Sequence, residues 1–527
     1  MKLLKKRNAR TSGILGGALS LTVSAILVKI LGLIYKIPLS HMLSDEGMGY
    51  FNAAYTVYGC LYLICTAGVP KAISILTAES DAHGRVADKR RLFRVSLSCF
   101  GALGALLTFL LITFAVPIGR LIGSAPAAFS MIAIAPSLLF VSLGGVIRGY
   151  LNGHAAMGPI ALSQVLEGIC KLVLGLAFAS YAIRHGFALP LVAAFTILGI
   201  TVGSFVSFVY LALHLRDAAT KGEQGSVGET VRTRGAALAS VMRVALPVTV
   251  SAGVLSMTNL LDLGLIMKRL AYAGLSVAEA SALYGNYTTL AVPMFNLAAG
   301  MISSVSMAVL PHLTKRYALE KKEEFRTLFR DTMRTVVCFV LPFSFGLMLF
   351  GEPVLALLFD DTSASIGAPL LAVLSPAMIF MSALTVVNTA LEAAGMPRAP
   401  LICMLVGSVA KLFVSYFLIG DARFGILGAP IGTVISYAVA LVVALCILHT
   451  KRDIEISVIS CFFRPLLHTG GVLLLTVFLF ARLSLHLTEL PALVICASLG
   501  AALYLAISFF TGVLSVKQKK NMVIFDK

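Results

Sequence analysis

Residues 21–40 read LTVSAILVKILGLIYKIPLS, an apolar run with Lys29 near its middle and Lys36 seven positions on. Twenty residues of this kind are enough to cross a bilayer as a helix. Seven residues are two helical turns, so the two ammonium groups share one face, about 10 Å apart along the axis. A lysine at that depth is costly in hydrocarbon and belongs in a protein interior or a water-filled cavity. One cationic stripe set among many spans points to a route for something anionic.

Composition agrees with a membrane-embedded chain. Of 527 residues 58% are hydrophobic and 13% charged, and the mean hydropathy is +0.94, which excludes an ordinary soluble globular domain. The net charge of +18 does not indicate nucleic acid as a partner. The basic residues lie between apolar runs, where the preference of cytoplasmic loops for lysine and arginine accounts for them. The nine cysteines and nine histidines are scattered without C-x-x-C or metal-ligand spacing, so neither a metal site nor a disulfide framework is expected. The start, MKLLKKRNAR, has the charge of a signal peptide. The apolar run behind it continues for about 25 residues without an A-x-A site, so a retained first span is expected.

Apolar runs bounded by charge, proline or glycine predict fourteen spans in an all-α membrane fold. The first six cover 13–38, 49–77, 93–118, 128–152, 158–183 and 188–215. The polar stretch 216–234 follows them. The next six cover 238–267, 282–310, 332–351, 367–392, 400–420 and 425–449, and the last two 460–481 and 490–514. Threading the chain through the membrane in that order places thirty lysines and arginines on one side and six on the other. Both termini are therefore expected in the cytoplasm.

The chain also repeats itself. APSLLFVSLGGVIRGYLNG (135–153) aligns without gaps to SPAMIFMSALTVVNTALEA (375–393) at an offset of 240, which carries Lys171 onto Lys411. LGLIYK (31–36) matches LGLIMK (263–268) at an offset of 232. Six spans per copy keep the two copies the same way up. The expected organisation is an N-lobe over 1–215, a linker over 216–235, a C-lobe over 236–450, and two further spans with a tail over 451–527. No G-x-x-x-x-G-K-[ST] motif is present and the connections are short, so neither a nucleotide-binding nor a catalytic domain is indicated. Cofactors are not expected. Any driving force would be the membrane potential or a Na⁺ or H⁺ gradient.

Lys29, Lys36 and Lys71 are the candidate substrate-binding cations, although Lys36 and Lys71 could instead reach a membrane surface. Glu167 and Lys171 stand four apart on one helix and are expected to neutralise each other. On the helix of Lys411 the position matching Glu167 is Gly407. Asp262 is a carboxylate at membrane depth, suited either to ion coupling or to pairing with a lysine. Arg148 and Glu392 fall toward the ends of their spans, as a gating pair or as interfacial anchors. Pro247, Pro293 and Pro376 can bend the spans that hold them.

KILGLIYKIPLS (29–40), SDEGMGYFNAAYTVY (44–58), AGVPKAISILTAES (67–80), LYGNYTTLAVPMFNLAAGMISSVSMAVLPHLTK (283–315) and LEAAGMPRAP (391–400) resemble the SpoVB/MurJ-type polysaccharide-biosynthesis proteins. That family lies within the multidrug/oligosaccharidyl-lipid/polysaccharide (MOP) exporter superfamily, and the resemblance spans essentially the whole chain. It implies two six-helix lobes around a central cavity, two added helices forming a groove for a lipid tail, and a non-enzymatic flippase working by alternating access. The implied substrate is an undecaprenyl-diphosphate-linked cell-wall precursor in a bacterial plasma membrane. Membrane lipids and cell-wall synthases are the implied partners. The family's R-x-x-G pattern maps onto Lys29 and Gly32. Its cavity arginine on the eighth span has no counterpart, because 286–311 holds no basic residue. The alternative is a cation-coupled multidrug exporter of the same superfamily. An integral-membrane glycosyltransferase would need a large external loop with carboxylates, and a non-transporting scaffold would not need the lysine stripe.

Overall fold

A computed structural model describes residues 2–154, 156–220, 231–359, 361–421, 423–452, 458–486 and 488–511. Among them there are helices and no strands. The chain begins with α1 (Lys2–Thr66), which is two limbs meeting at Ser44, where φ 57 and ψ 171 leave the helical region. α2 (Val69–Ala82) starts after a break at Ala67 and Gly68 and carries a proline in its first turn. Gly68 is obligatory there, since a Cβ would lie 2.1 Å from Ala245 O.

Then come α3 (Val86–Leu121), α4 (Ala128–Ile134), α5 (Ser137–Gly153), α6 (Met157–Arg184), α7 (Leu189–Thr220), α8 (Arg234–Tyr272), α9 (Val277–Asn286) and α10 (Val292–Ala318). α11 (Lys322–Leu358), α12 (Asp361–Ala393), α13 (Ala399–Ile419), α14 (Gly428–Arg452), α15 (Val458–Leu483) and α16 (Glu489–Phe510) complete the chain. Between α9 and α10 the segment Tyr287–Ala291 winds as a π-helix. Pro293 follows at once. It has no N–H for the carbonyl four residues back, and widening the preceding turn accommodates that loss.

The expected fourteen spans are met in part among the described residues. Ten helices are long and apolar enough to cross a membrane, or eleven counting Ala125–Ile134 with Ser137–Gly153, a pair bent by 41°. The shortfall has local reasons. The first two expected spans run together through the kink at Ser44, so Leu27–Asp81 counts once. The fourth is the bent pair. α8 and α10, at the expected seventh and eighth spans, include side chains outside the described set. From the ninth span on, observed and expected helices overlap closely.

The helices fall into two compact units, Met1–Ala271 with Ser276–Gly285, and Tyr272–Leu275 with Asn286–Lys527. In the first, Val69, Ile73, Phe100, Val146, Tyr150 and Ala245 close one core shared by α2, α3, α5 and α8. α6 and α7 meet through glycines: a Cβ on Gly199 would lie 2.5 Å from Gly175 N, and one on Gly203 would lie 3.0 Å from Glu167 O. In the second unit α13 and α14 meet in the same manner, a Cβ on Gly432 reaching 2.2 Å from Ser415 Oγ and one on Gly407 reaching 2.5 Å from Ser436 O. Small residues allow this close approach in apolar surroundings. Gly175 and Ser415 are 240 apart, as are Glu167 and Gly407, while Gly199 and Gly432, and Gly203 and Ser436, are 233 apart. The two units therefore repeat a packing detail as well as a sequence.

Candidate functional site

The first limb of α1 lays Val28, Leu31 and Tyr35 toward α6. A Cβ on Gly168 would meet Leu31 Cδ1 at 3.2 Å, and one on Gly175 would meet Tyr35 Oη at 2.8 Å. Lys29, Gly32 and Lys36 lie on the neighbouring face. Lys29 is exposed, Lys36 is half-buried, and a Cβ on Gly32 would find no atom within 4 Å among the described residues. The lysine stripe read from the sequence thus borders open space.

Tyr35 is 1% exposed, and its hydroxyl is buried without a hydrogen-bond partner among the described residues. The Lys171 ammonium stands 5.3 Å from the Tyr35 ring centroid and 5.0 Å from that of Tyr55. Two aromatic faces offer a cation up to about 2 kcal/mol each where water is scarce. Lys171 is also close enough to Lys36 for the two charges to repel. Positive charge is thus gathered from α1 and α6 onto an aromatic surface.

That surface runs along the second limb of α1. Phe51 and Tyr55 stack at 6.2 Å and 8°, Tyr55 and Tyr58 follow at 5.9 Å, and Tyr58 and Tyr62 at 5.6 Å. Their spacing of four, three and four residues is that of one helix face. Tyr58 is buried beside Ser137. Beyond Tyr62 lies an ionic knot. Arg148 Nη2 on α5 donates to Glu167 Oε2 at 2.9 Å and to Ser207 Oγ at 2.8 Å, and Ser204 Oγ donates to Glu167 Oε1 at 3.1 Å. This corrects the expected pairing of Glu167 with Lys171. Glu167 is claimed by α5 and α7, and Lys171 turns to the tyrosines.

The other sequence candidates are dispersed. Lys71 on α2 is exposed, and Asp262 on α8 is 7% exposed. Lys411 on α13 is half-buried within electrostatic reach of Tyr437, which itself packs 5.7 Å from Phe295. Glu392 lies exposed on α12. Pro247 falls within α8, with its side chain outside the described residues.

Two features went unread in the sequence. One is the tyrosine stripe, which its spacing at 55, 58 and 62 could have revealed. The other is a charged cluster at the turn between α2 and α3. There the wholly buried Lys89 donates to Asp81 Oδ1 at 2.9 Å and meets His154 Nε2 at 3.0 Å. Beside it Arg232 reaches Asp88 Oδ2 at 3.4 Å and Glu79 Oε1 at 3.3 Å. Its contacts join residues far apart in the chain, which no local pattern reveals. In the second unit, Phe339 and Phe343 of α11, Thr469 and Thr476 of α15 and Tyr504 of α16 line an apolar cavity of about 520 Å³. Among the described residues no three His, Cys, Asp or Glu side chains gather as a metal site.

Comparison with known proteins gives a consistent picture. The family model described as "Lipid II flippase MurJ" matches residues 49–523. The chain is similar to Stage V sporulation protein B of Bacillus subtilis (strain 168), 24% identical over 421 residues that cover 80% of each chain. Among solved structures it is similar to a lipid II flippase MurJ in an inward closed conformation, with a TM-score of 0.71 at 16% identity, covering 93% of this chain and 97% of that one. An inward-facing multidrug resistance MATE family transporter of the MOP superfamily follows, with a TM-score of 0.66 at 15% identity over 86% of this chain and 98% of that one. At such identities the two structures speak for the fold.

Proposed function

Because this chain belongs to the lipid II flippase MurJ family, we propose that it moves an undecaprenyl-diphosphate-linked cell-wall precursor, lipid II or a related lipid-linked oligosaccharide, from the cytoplasmic to the outer leaflet of a bacterial plasma membrane. The observation that carries this reading is the gathering of Lys29, Lys36 and Lys171 along an open face and a tyrosine surface. A diphosphate opposed to one of these ammonium groups at about 4 Å gains about 4 kcal/mol of gross attraction at an effective dielectric near 20. Water-poor surroundings raise that figure.

The cavity between α11, α15 and α16 suits the isoprenoid tail. The proposal extends to both termini in the cytoplasm, to lobes over 1–215 and 236–450, and to alternating access powered by the membrane potential or by Na⁺ or H⁺. Arg148, Glu167, Lys411, Asp262 and Glu392 are its coupling or gating candidates. Pro247 and Pro293 are its hinges, the latter supported by the π-helical turn that precedes it. Chemistry is left to other proteins, with cell-wall synthases as candidate partners.

The multidrug exporter reading shares the fold, but a cationic drug would be repelled by this stripe. Glu167, a carboxylate that could attract one, is held by Arg148. Proteoliposomes separate the two: export of lipid II without export of a cationic dye supports the flippase, and the reverse result overturns it.

A further inference from the structure

The lysines account for an anion but not for the tyrosines beside them. Tyrosine ordinarily settles where membrane meets water. The limb of α1 after Ser44 is 22 residues long, and Tyr55 lies at its middle, with Tyr58 and Tyr62 one and two turns further on. Each ring has its own surroundings. Tyr35 is sealed between α1 and α6, Tyr58 is buried beside Ser137, and Tyr62 sits by the charges of Glu167 and Arg148. Tyr55 differs. It is 41% exposed, and its hydroxyl makes no hydrogen bond to the described residues.

An uncommitted phenol touching an ammonium at mid-depth is unfavourable against hydrocarbon. It suits a polar volume whose occupant offers a flat, weakly polar face with hydroxyls at its edge and an anion alongside. Lys171, already over the ring, and Lys36 nearby exclude a cation as that occupant. A pyranose bonded directly to phosphate has the required parts: axial C–H groups for the ring, hydroxyls for the phenol and negative charge for the lysines. We infer that Tyr55 is a stacking platform for the first sugar of the substrate, whose phosphate is held by Lys171 and Lys36. The inference rests on the proposed flippase function and adds to it that the site reads the saccharide as well as the diphosphate.

The chain contains no tryptophan, so Tyr55→Trp places a single fluorophore at the platform. In detergent-solubilised full-length protein, lipid II shifts the emission of this variant, and undecaprenyl diphosphate, which lacks the sugar, shifts it far less. Affinities measured for both lipids complete the test. Tyr55→Leu lowers lipid II affinity about tenfold and changes undecaprenyl diphosphate affinity less than about twofold, while Tyr55→Phe, which keeps the ring and loses the hydroxyl, falls between Tyr55→Leu and wild type. Tyr55→Leu weakening both lipids equally, or neither, overturns the platform and leaves the flippase standing. Wild type that binds neither lipid overturns both. Unchanged thermal melting of Tyr55→Leu confirms that the exposed ring does not hold the fold.

Discussion

Replacing Arg148 with methionine tests how the site is held together. One guanidinium nitrogen bonds both Glu167 Oε2 at 2.9 Å and Ser207 Oγ at 2.8 Å, pinning α5 to α6 and α7. The gross attraction across 2.9 Å at an effective dielectric near 20 is about 6 kcal/mol, much of it offset by the desolvation of both groups. Removing one partner of a fully buried pair typically costs about 3–5 kcal/mol. The two side chains here are 16% and 24% exposed, so the expected loss is reduced to about 2–3 kcal/mol. Glu167→Gln leaves Arg148 with Ser207 and loses about 2 kcal/mol, and the double variant loses less than the sum by about 1.5 kcal/mol or more.

A denaturant titration of detergent-solubilised protein supplies all four corners of that cycle. A second cycle, Lys171→Met with Glu167→Gln, closes within about 0.5 kcal/mol, because Lys171 rests on Tyr35 and Tyr55 instead of on the carboxylate. Additive losses in the first cycle, or strong coupling in the second, would refute this assignment of partners.

Gly199→Ala drives a Cβ to 2.5 Å from Gly175 N, and thermal melting should show a loss of about 1–3 kcal/mol. Gly346→Ala, with nothing within 4 Å, gains about 0.5–1 kcal/mol through helix propensity. Lys89→Met removes the donor to Asp81 and His154 and lowers stability by about 1–2 kcal/mol in the same assay. Ser276 and Glu279 form a reciprocal cap on α9, with Ser276 N–H and hydroxyl each 2.8 Å from Glu279 Oε2. Those two hydrogen bonds hold the carboxyl below its ordinary range. A carboxyl depressed in the folded state stabilises above its unfolded pKa and loses that contribution as pH falls through the folded value. Protection of the first turn of α9 in hydrogen exchange, corrected for intrinsic rates, should therefore drop on acidification, and Glu279→Gln should abolish that dependence.

Periodicity and apolar length made most helices legible, because span length is fixed by the bilayer. The repeat was legible too, and it reaches into packing: Thr108 Oγ1 donates to Ala135 O at 3.0 Å and Ser344 Oγ to Ser375 O at 2.7 Å, acceptors 240 apart. Yet the matched prolines behave differently. The chain bends by 41° around Pro136, whereas Pro376 lies inside the continuous α12. Ser375 Oγ donates to Leu371 O at 2.7 Å beside the gap that the proline leaves, and Ala135 has no side-chain donor to offer there. The kink at Ser44 falls in the gap between the first two expected spans, 13–38 and 49–77.

The site was half legible. A lysine inside an apolar run is visible in one dimension, so the shared face of Lys29 and Lys36 could be read from spacing alone. Partner choice is three-dimensional. Lys171 is four residues from Glu167 along α6, but Arg148 and two serines reach the carboxylate from other helices, and stacked rings provide the lysine with another environment.

The central claim is that the lysine face conducts a diphosphate-linked glycolipid. Its most direct test is lipid II movement between leaflets of liposomes holding the purified protein, under an imposed potential and with Na⁺ or H⁺ gradients, for wild type, Lys29→Ala and Lys29→Arg. The account predicts flipping by wild type, a loss of about tenfold or more in Lys29→Ala with the protein still folded, and recovery in Lys29→Arg. Wild type that leaves lipid II in place under every gradient, or Lys29→Ala that flips it at the wild-type rate, would contradict it.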